Sequence, residues 1–195
     1  QRYEFLEDTG VVTGVRIRGR QVKCKVWKCT RFDNAPLYLL DANLPENDDN
    51  LITGQLYGWF AEERIAQEMI LGIGGIRALD ALNIPVDIYH FNDSHPVFAG
   101  VELIREMMDE EGLSFEEARE KAKGKIVFTT HTPVKAGNEE HEHELLRYMG
   151  AYNGLTFGQM LRLGGDPFSM TVAGLRLAKK ANAVAQLHGK TARRM

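Results

Sequence analysis

Three segments of this chain share one pattern, a short apolar run that ends in a histidine and a few small polar residues. They span residues 86–95, 126–133 and 183–189. Each run is typical of a buried strand that breaks into a loop. Parallel strands bring their carboxyl ends to one edge of a sheet, and ligands bind at that edge in open α/β proteins. The repeat therefore predicts one site that is built from three loops.

The polar residues at these strand ends suit a ligand that is rich in hydroxyl groups. The imidazole of His131 can donate or accept a hydrogen bond without carrying a full charge, as a sugar hydroxyl requires. Asn92, Asp93 and His95 form a block that is denser in polar side chains than a helix cap requires. Two plainer interpretations stay open, because His131 can be bonded to backbone at a strand end and Ser94 or Asp93 can be a helix cap.

Two further motifs raise the question of metal or phosphate binding. His141 and His143 stand two positions apart in the charged patch at residues 138–144. On a helix these two positions do not share a face, which favours a solvated polar surface. The glycine-rich residues 72–75 lie inside a helical period, whereas a phosphate loop lies between a strand and a helix N-terminus. Tight packing is therefore the favoured role of these glycines, and we expect no metal site in this chain.

The composition is that of a globular protein without a basic track or a membrane-spanning segment. The 195 residues are 44% hydrophobic and carry a formal net charge of −3, with lysine and arginine spread along the sequence. A nucleic-acid partner is therefore not expected. No apolar run reaches the roughly 18 residues that a membrane span needs, and no signal peptide is visible.

The two cysteines indicate a reducing compartment. Cys24 and Cys29 are five positions apart in a segment with strand character, so their side chains should lie on opposite faces. A disulfide between them is not expected, and a cytoplasmic location fits best. The chain begins in mid-pattern at Gln1 and stops at Met195 within a helical-looking stretch. We therefore expect it to be part of a longer protein.

Two regions are expected to position the strand ends: a β-hairpin region at residues 1–35 and an α/β core at residues 36–195. A turn is expected at residues 18–20, and residues 36–41 are predicted to form a core strand. Apolar residues at helical spacing predict a helix over 61–82. Further strands are predicted over 86–91, 125–130 and 183–187, and helices over 96–111, from 114 onward, and over 140–150, 156–163 and 169–180. This alternation predicts a parallel sheet with helices on both faces.

Several of these segments resemble one enzyme family. The strings YHFNDSHP at residues 89–96 and VFTTHTPV at residues 127–134 are similar to motifs of the α-glucan phosphorylases, which act on glycogen, starch and maltodextrin. Further stretches resemble the shorter microbial branch of that family, at residues 38–47, 64–79, 169–171 and 182–189. Larger members carry a longer gate where this chain has residues 56–60, so allosteric control of that kind is not expected.

The resemblance implies a fold, a reaction and a cofactor. The fold has two Rossmann-like domains with the active site between them, and residues 1–195 correspond to a segment of the N-terminal, glucan-facing domain. The enzyme uses inorganic phosphate to release glucose 1-phosphate from terminal α-1,4-linked glucose, with retained stereochemistry. Pyridoxal phosphate is essential, but its lysine belongs to a C-terminal domain without a counterpart here. The implied partners are α-glucan, inorganic phosphate, glucose 1-phosphate and the remainder of the parent chain.

The resemblance also implies roles for individual residues. His131 matches the catalytic histidine that grips the 6-hydroxyl of the glucose. His188 matches a strand-end residue close to the cofactor. The implied substrate-binding positions are Asn92, Asp93, His95 and Thr132. Two other functions stay open at this point: a nucleotide-sugar glycosyltransferase of the starch synthase kind, and a non-enzymatic carbohydrate-binding domain.

Overall fold

The computed structural model describes residues 4–31, 35–58, 60–131, 139–185 and 189. Its strands are β1 (Glu7–Ile17), β2 (Arg20–Cys29), β3 (Leu37–Asp41), β4 (Tyr89–Asn92), β5 (Ile126–Thr130), β6 (Glu140–His141), β7 (Phe168–Ser169) and β8 (Lys180–Ala183). Its α-helices are α1 (Ala61–Met69), α2 (Gly75–Ala81), α3 (Phe98–Glu111), α4 (Phe115–Lys123), α5 (His143–Met149), α6 (Phe157–Gly164) and α7 (Met170–Leu177), and a π-helical turn (Ile70–Gly74) joins α1 to α2.

The N-terminal region is an antiparallel sheet in the order β1-β2-β3. Arg18 and Gly19 form the predicted hairpin turn, and both have positive φ angles, of 51° and 75°. Two consecutive positive φ angles match the right-handed twist of the paired strands. The run at residues 36–41 was expected in the α/β core. It instead pairs with β2 as the third strand of this sheet, because a short connection lets it return alongside the hairpin.

The predicted helix over residues 61–82 is present, with a local change of winding at its glycines. Its apolar stripe is buried at Ile65, Met69, Ile73 and Ile76. Within the π-helical turn, a Cβ at position 72 would lie 2.5 Å from the backbone nitrogen of Ala99. The glycine therefore lets α3 approach this helix at backbone distance, which is the tight packing that the sequence favoured.

The α/β region contains a parallel sheet in the order β4-β5-β8. Two helices, α3 and α4, lie between β4 and β5 along the chain, and α5, α6 and α7 lie between β5 and β8. Ser114 opens α4 with the predicted capping box, in which its backbone N–H donates to Glu117 at 2.9 Å. Crossovers of this kind are what parallel strands require.

The third parallel strand begins and ends earlier than expected. It covers Lys180–Ala183, whereas residues 184 and 185 form a bend and residues 186–188 lie outside the described part of the chain. Pairing with β5 explains this placement, because Val127 aligns with Lys180 and Thr130 aligns with Ala183. Most of the run that was predicted as a strand, residues 183–187, therefore comes after the segment that pairs with β5.

One hydrophobic core joins the antiparallel sheet β1-β2-β3 to the parallel sheet β4-β5-β8. It includes Val15 and Ile17 of β1 together with Phe91 of β4 and Phe128 of β5. Among the described residues, no helix combines the length and the apolar composition needed to cross a membrane.

A buried carboxylate ties α2, α3 and the turn after α5 together. Glu102 is fully buried and accepts hydrogen bonds from Arg77 (3.0 Å from Nη2), from Arg105 (3.0 Å from Nε) and from Asn153. Burial raises the pKa of Glu102, but the hydrogen bonds from Arg105 and Arg77 outweigh burial and hold the pKa below its usual range. Ionised Glu102 is therefore part of the folded structure.

We expect Gly72→Ala to lower the free energy of unfolding by about 2 kcal/mol, because the added methyl group meets the backbone of α3. The matched control is Gly75→Ala, where a Cβ meets nothing within 4 Å. Alanine in that helix should leave stability unchanged or raise it by up to about 1 kcal/mol. Urea denaturation of both variants measures the difference, and equal effects would contradict the close approach.

We expect Glu102→Gln to cost about 3 kcal/mol at neutral pH, because Arg77 and Arg105 lose their buried counter-charge. The folded pKa of this carboxyl lies below the ordinary glutamate value of about 4.3, so its contribution is lost as the pH falls through the folded pKa. The difference in the free energy of unfolding between the unsubstituted protein and Glu102→Gln should therefore become smaller below about pH 4. Urea denaturation across pH tests this, with exposed Glu110→Gln as the control.

Candidate functional site

The carboxyl ends of the three parallel strands lie at one edge of their sheet. Asn92, Thr129 and Asn182 are aligned across β4, β5 and β8. The backbone N–H of Asp93 donates to the carbonyl of Thr129 at 2.8 Å, which extends the alignment beyond the end of β4. His131 follows the last residue of β5 directly. The sheet therefore carries Asn92, Asp93 and His131 at neighbouring positions of one edge.

Asp93 forms the sharp corner at which β4 turns towards α3. Its φ angle is 65°, in the left-handed region that aspartate tolerates better than most side chains. It is buried, and its Oδ1 accepts a hydrogen bond from the backbone of Ser94 at 3.0 Å. The N-cap of α3 is Val97, which makes no side-chain cap bond. Asp93 is therefore not the N-cap residue of α3, and its carboxylate accepts a backbone hydrogen bond at the strand-end corner.

A chain of side-chain hydrogen bonds crosses the sheet just behind this edge. The Thr129 hydroxyl donates to Asn182 Oδ1 at 2.9 Å, and His90 Nε2 donates to Thr129 Oγ1 at 2.8 Å. This chain links all three strands. These hydrogen bonds fix the register of the three strands where the strand-end loops begin. His90 therefore has a structural role.

The predicted site residues fall into three groups. Asn92 and His131 are exposed at the strand-end edge, beside buried Asp93. His95 is turned towards a second cluster that is described next. Thr132 and His188 lie outside the described residues.

A second cluster, which we call the acid–histidine cluster, consists of Glu68, His95, Glu139, His141 and Arg64. His141 Nε2 donates to Glu68 Oε2 at 3.2 Å, and both side chains are buried. Arg64 Nε donates to Glu139 Oε1 at 2.9 Å. His95 Nδ1 lies 4.0 Å from Glu68 Oε1 and 3.8 Å from Glu139 Oε2. The cluster therefore joins α1 to the loop after β4 and to the residue before β6.

The two carboxyl groups of this cluster have opposite pKa shifts. Burial acts to raise the pKa of Glu68, but the hydrogen bond from His141 and the proximity of His95 lower it to about 2. Burial and the neighbouring Glu68 raise the pKa of Glu139 to about 7. The pKa of His95 is raised, chiefly by Glu68. Negative charge is thus concentrated on Glu68, next to a carboxyl group that takes up a proton easily.

The charged patch at residues 138–144 was predicted to be a solvated surface, and for its histidines this is wrong. His141 and His143 are buried, whereas Glu142 and Glu144 are exposed. His143 bonds the Tyr152 hydroxyl and the carbonyl of Gly165, both at 2.7 Å. The backbone is extended until α5 begins at His143, so burial alternates with a period of two rather than with the helical period.

The sequence analysis did not identify Glu68 and Glu139 as functional residues. The signal for Glu68 was available, because it lies on the buried side of α1 three residues after Ile65, where an apolar residue is usual. A charged side chain on that face indicates a buried partner. No comparable signal marks Glu139, whose neighbours across the fold are distant in sequence.

Comparisons with known proteins agree on one family. A sequence model of the carbohydrate phosphorylases matches residues 76–151. The chain is 38% identical to a glycogen phosphorylase of Mycobacterium tuberculosis over 195 residues, covering 89% of this chain and 22% of that protein. It is 42% identical to a maltodextrin phosphorylase of Thermococcus litoralis over 168 residues, covering 82% of this chain and 20% of that protein.

A third relative covers almost the whole chain. It is an uncharacterised protein of Methanocaldococcus jannaschii that is 37% identical over 197 residues, covering 99% of this chain and 36% of that protein. The chain therefore spans between about a fifth and about a third of the length of these relatives.

Proposed function

Because this chain belongs to the carbohydrate phosphorylase family and matches one segment of its members, we propose that it is the glucan-facing segment of an α-1,4-glucan phosphorylase. The parent enzyme transfers the terminal glucose of an α-glucan to inorganic phosphate and releases glucose 1-phosphate. The observation that carries this proposal is the parallel alignment of β4, β5 and β8, which supports a single sugar site at their carboxyl ends.

The proposed architecture is one half of a two-domain enzyme. The region that contains β4, β5 and β8 contributes to a Rossmann-like sheet with helices on both faces, and the antiparallel sheet β1-β2-β3, which ends at Asp41, lies before it in the chain. The order β4-β5-β8 with helical crossovers supports this assignment. The exposure of His90, Asn92 and Asn182 leaves one side of the sheet for further parts of the parent chain.

The strand-end residues have the chemistry that a glucose ring requires. His131 donates to the 6-hydroxyl, and it is exposed directly after β5. Asp93 faces the anomeric side of the sugar, Asn92 and Thr132 bind further hydroxyls, and His95 contacts the ring from the loop after β4. His188 lies on the cofactor side. Hydrogen bonds of this kind are strengthened when the second domain closes the cleft and excludes water.

The described residues of this edge do not fit a phosphate group. Asp93 is acidic, Asn92 and His131 offer single donors, and the nearby acid–histidine cluster carries two carboxyl groups. A phosphate dianion needs arginine, lysine or a helix N-terminus. We therefore propose that pyridoxal phosphate and the substrate phosphate are bound by other parts of the parent enzyme, and that this segment binds the glucan.

The free thiols are consistent with the proposed cytoplasmic setting of this metabolism. Cys24 is buried and Cys29 is half-buried, and neither forms a disulfide. Proteins of reducing compartments keep their thiols in this state.

We expect His131→Ala in the parent enzyme to lower kcat for glucose 1-phosphate release from maltodextrin by about 10²- to 10³-fold, the usual effect of removing one oriented donor from a closed site. The control is Lys180→Ala, which changes an exposed residue at the opposite end of the sheet and should leave kcat unchanged. Near-normal turnover by His131→Ala would contradict its role. Strict dependence of the parent on a sugar nucleotide would identify a glycosyltransferase instead.

We expect the isolated chain to bind no pyridoxal phosphate, because the described residues of its strand-end edge include no arginine or lysine. After incubation with the cofactor and gel filtration, the chain should show no cofactor absorbance, whereas the parent enzyme treated in the same way should. A stoichiometric absorbance of pyridoxal phosphate on the isolated chain would contradict the proposal that other parts of the parent enzyme bind the cofactor.

A further inference from the structure

Three metal-ligating side chains of the acid–histidine cluster converge on one point. Glu68, His95 and Glu139 each place one ligand atom within 4.8 Å of the other two, and His95 Nδ1 is 4.0 Å from Glu68 Oε1 and 3.8 Å from Glu139 Oε2. They come from α1, from the residue before β6 and from the loop after β4, so the fold rather than local sequence brings them together. Two carboxylates and one imidazole are a ligand set that divalent transition metals accept.

The carboxylate atoms at this point lack partners in the described part of the chain. Glu68 Oε1 and Glu139 Oε2 are buried and accept no hydrogen bond. The Glu68 side chain is only 3% exposed, so solvent does not compensate for the missing bond. Leaving a buried acceptor unsatisfied is costly, and more so when it carries charge. Both orphan oxygens belong to the set that faces His95.

The remaining oxygen of each carboxylate is already held. Glu68 Oε2 accepts from His141, and Glu139 Oε1 accepts from Arg64. Metal-binding carboxylates are oriented in this way, with one oxygen on the metal and the other on a hydrogen-bond donor. The cluster therefore has outer partners in place for both acidic ligands.

We propose that Glu68, His95 and Glu139 bind a Zn²⁺ ion through these three atoms, with a water molecule in the fourth position. This differs from the metal-free chain that the sequence predicted. It also goes beyond glucan phosphorolysis, because the ion requires neither the sugar nor the parent's second domain.

The distances allow the ion with small adjustments. Ligand atoms on a tetrahedral Zn²⁺ are about 3.4 Å apart when each bond is about 2.1 Å long. The separations of His95 Nδ1 from its two acidic partners, 4.0 and 3.8 Å, must shrink by about half an ångström. His95 and Glu139 are 36% and 26% exposed in their side chains, so both can move and solvent can deliver the ion.

The ion also offsets the charge of the cluster. Two carboxylates face each other here, and Arg64 compensates only the outer oxygen of Glu139. A divalent ion between them replaces their mutual repulsion with attraction to a common centre. It would link the loop after β4 to α1 and to the segment before β6, which positions His95 beside the proposed sugar site.

The competing explanation is that protonated His95 is itself the counter-charge. Its Nδ1 is 3.8 Å or more from both acidic oxygens, which is too long for a hydrogen bond. The imidazolium would satisfy neither orphan oxygen at these distances. A proton shared between Glu139 and Glu68 is the second alternative, because the neighbouring Glu68 raises the pKa of Glu139. Direct measurement of zinc binding distinguishes the proposal from both.

The test is a titration of the chelator-treated chain with Zn²⁺, followed by calorimetry. We expect one ion per chain, with a rise in the melting temperature on binding. Substitution with Co²⁺ should give the visible absorbance of a four-coordinate site. His95→Ala and Glu139→Gln, both of partly exposed residues, should each weaken zinc binding by about 100-fold.

The matched control is Glu140→Gln, which makes the same substitution at an exposed neighbour and should leave zinc binding unchanged. Circular dichroism verifies that each variant is folded. No stoichiometric zinc, or binding that survives both His95→Ala and Glu139→Gln, would overturn the proposal. Glucose 1-phosphate release by the parent enzyme is a separate readout, so failure of the zinc site leaves the proposed reaction untouched.

Discussion

Backbone hydrogen bonding among three parallel strands is the constraint on which the candidate site depends. The alignment of Asn92, Thr129 and Asn182 fixes where each strand ends, and the bond from Asp93 to Thr129 carries that alignment into the loop. A shift of one residue in any strand would exchange its two faces and remove the polar side chains from the edge. The polar chain through Thr129 opposes such a shift, because its hydrogen bonds form in only one register.

Two of the buried carboxylates, Glu102 and Glu68, differ in how fully their oxygens are hydrogen-bonded. Glu102 has three hydrogen-bonding partners, all from side chains around it, and serves as a structural centre between helices. Glu68 has one good partner, His141, and one orphan oxygen. If Glu68 served only to hold the fold together, we would expect both of its oxygens to be hydrogen-bonded, as those of Glu102 are. The contrast between the two residues marks the surroundings of Glu68 as a place of function.

The sequence predicted what depends on local pattern and missed what depends on distant contacts. The hairpin at Gly19 and the capping box at Ser114 follow from turn and cap chemistry, and both were foreseen. The two strand-end motifs around Asp93 and His131 were also predicted, because a strand followed by a polar loop can be recognised from the order of residues alone. The partners of Glu68 were not, because Glu139 lies 71 positions further along the chain. Side-chain convergence of that kind is created only by tertiary packing.

The alternation of burial at the start of α5 has a consequence for sequence change in this family. His141 and His143 point inward while Glu142 and Glu144 point to solvent, and the two histidines serve separate networks. Deleting or inserting a single amino acid between His141 and His143 would move at least one imidazole away from its partner. Length variation should thus be excluded from this short stretch even where substitutions of its outward-facing residues are tolerated freely.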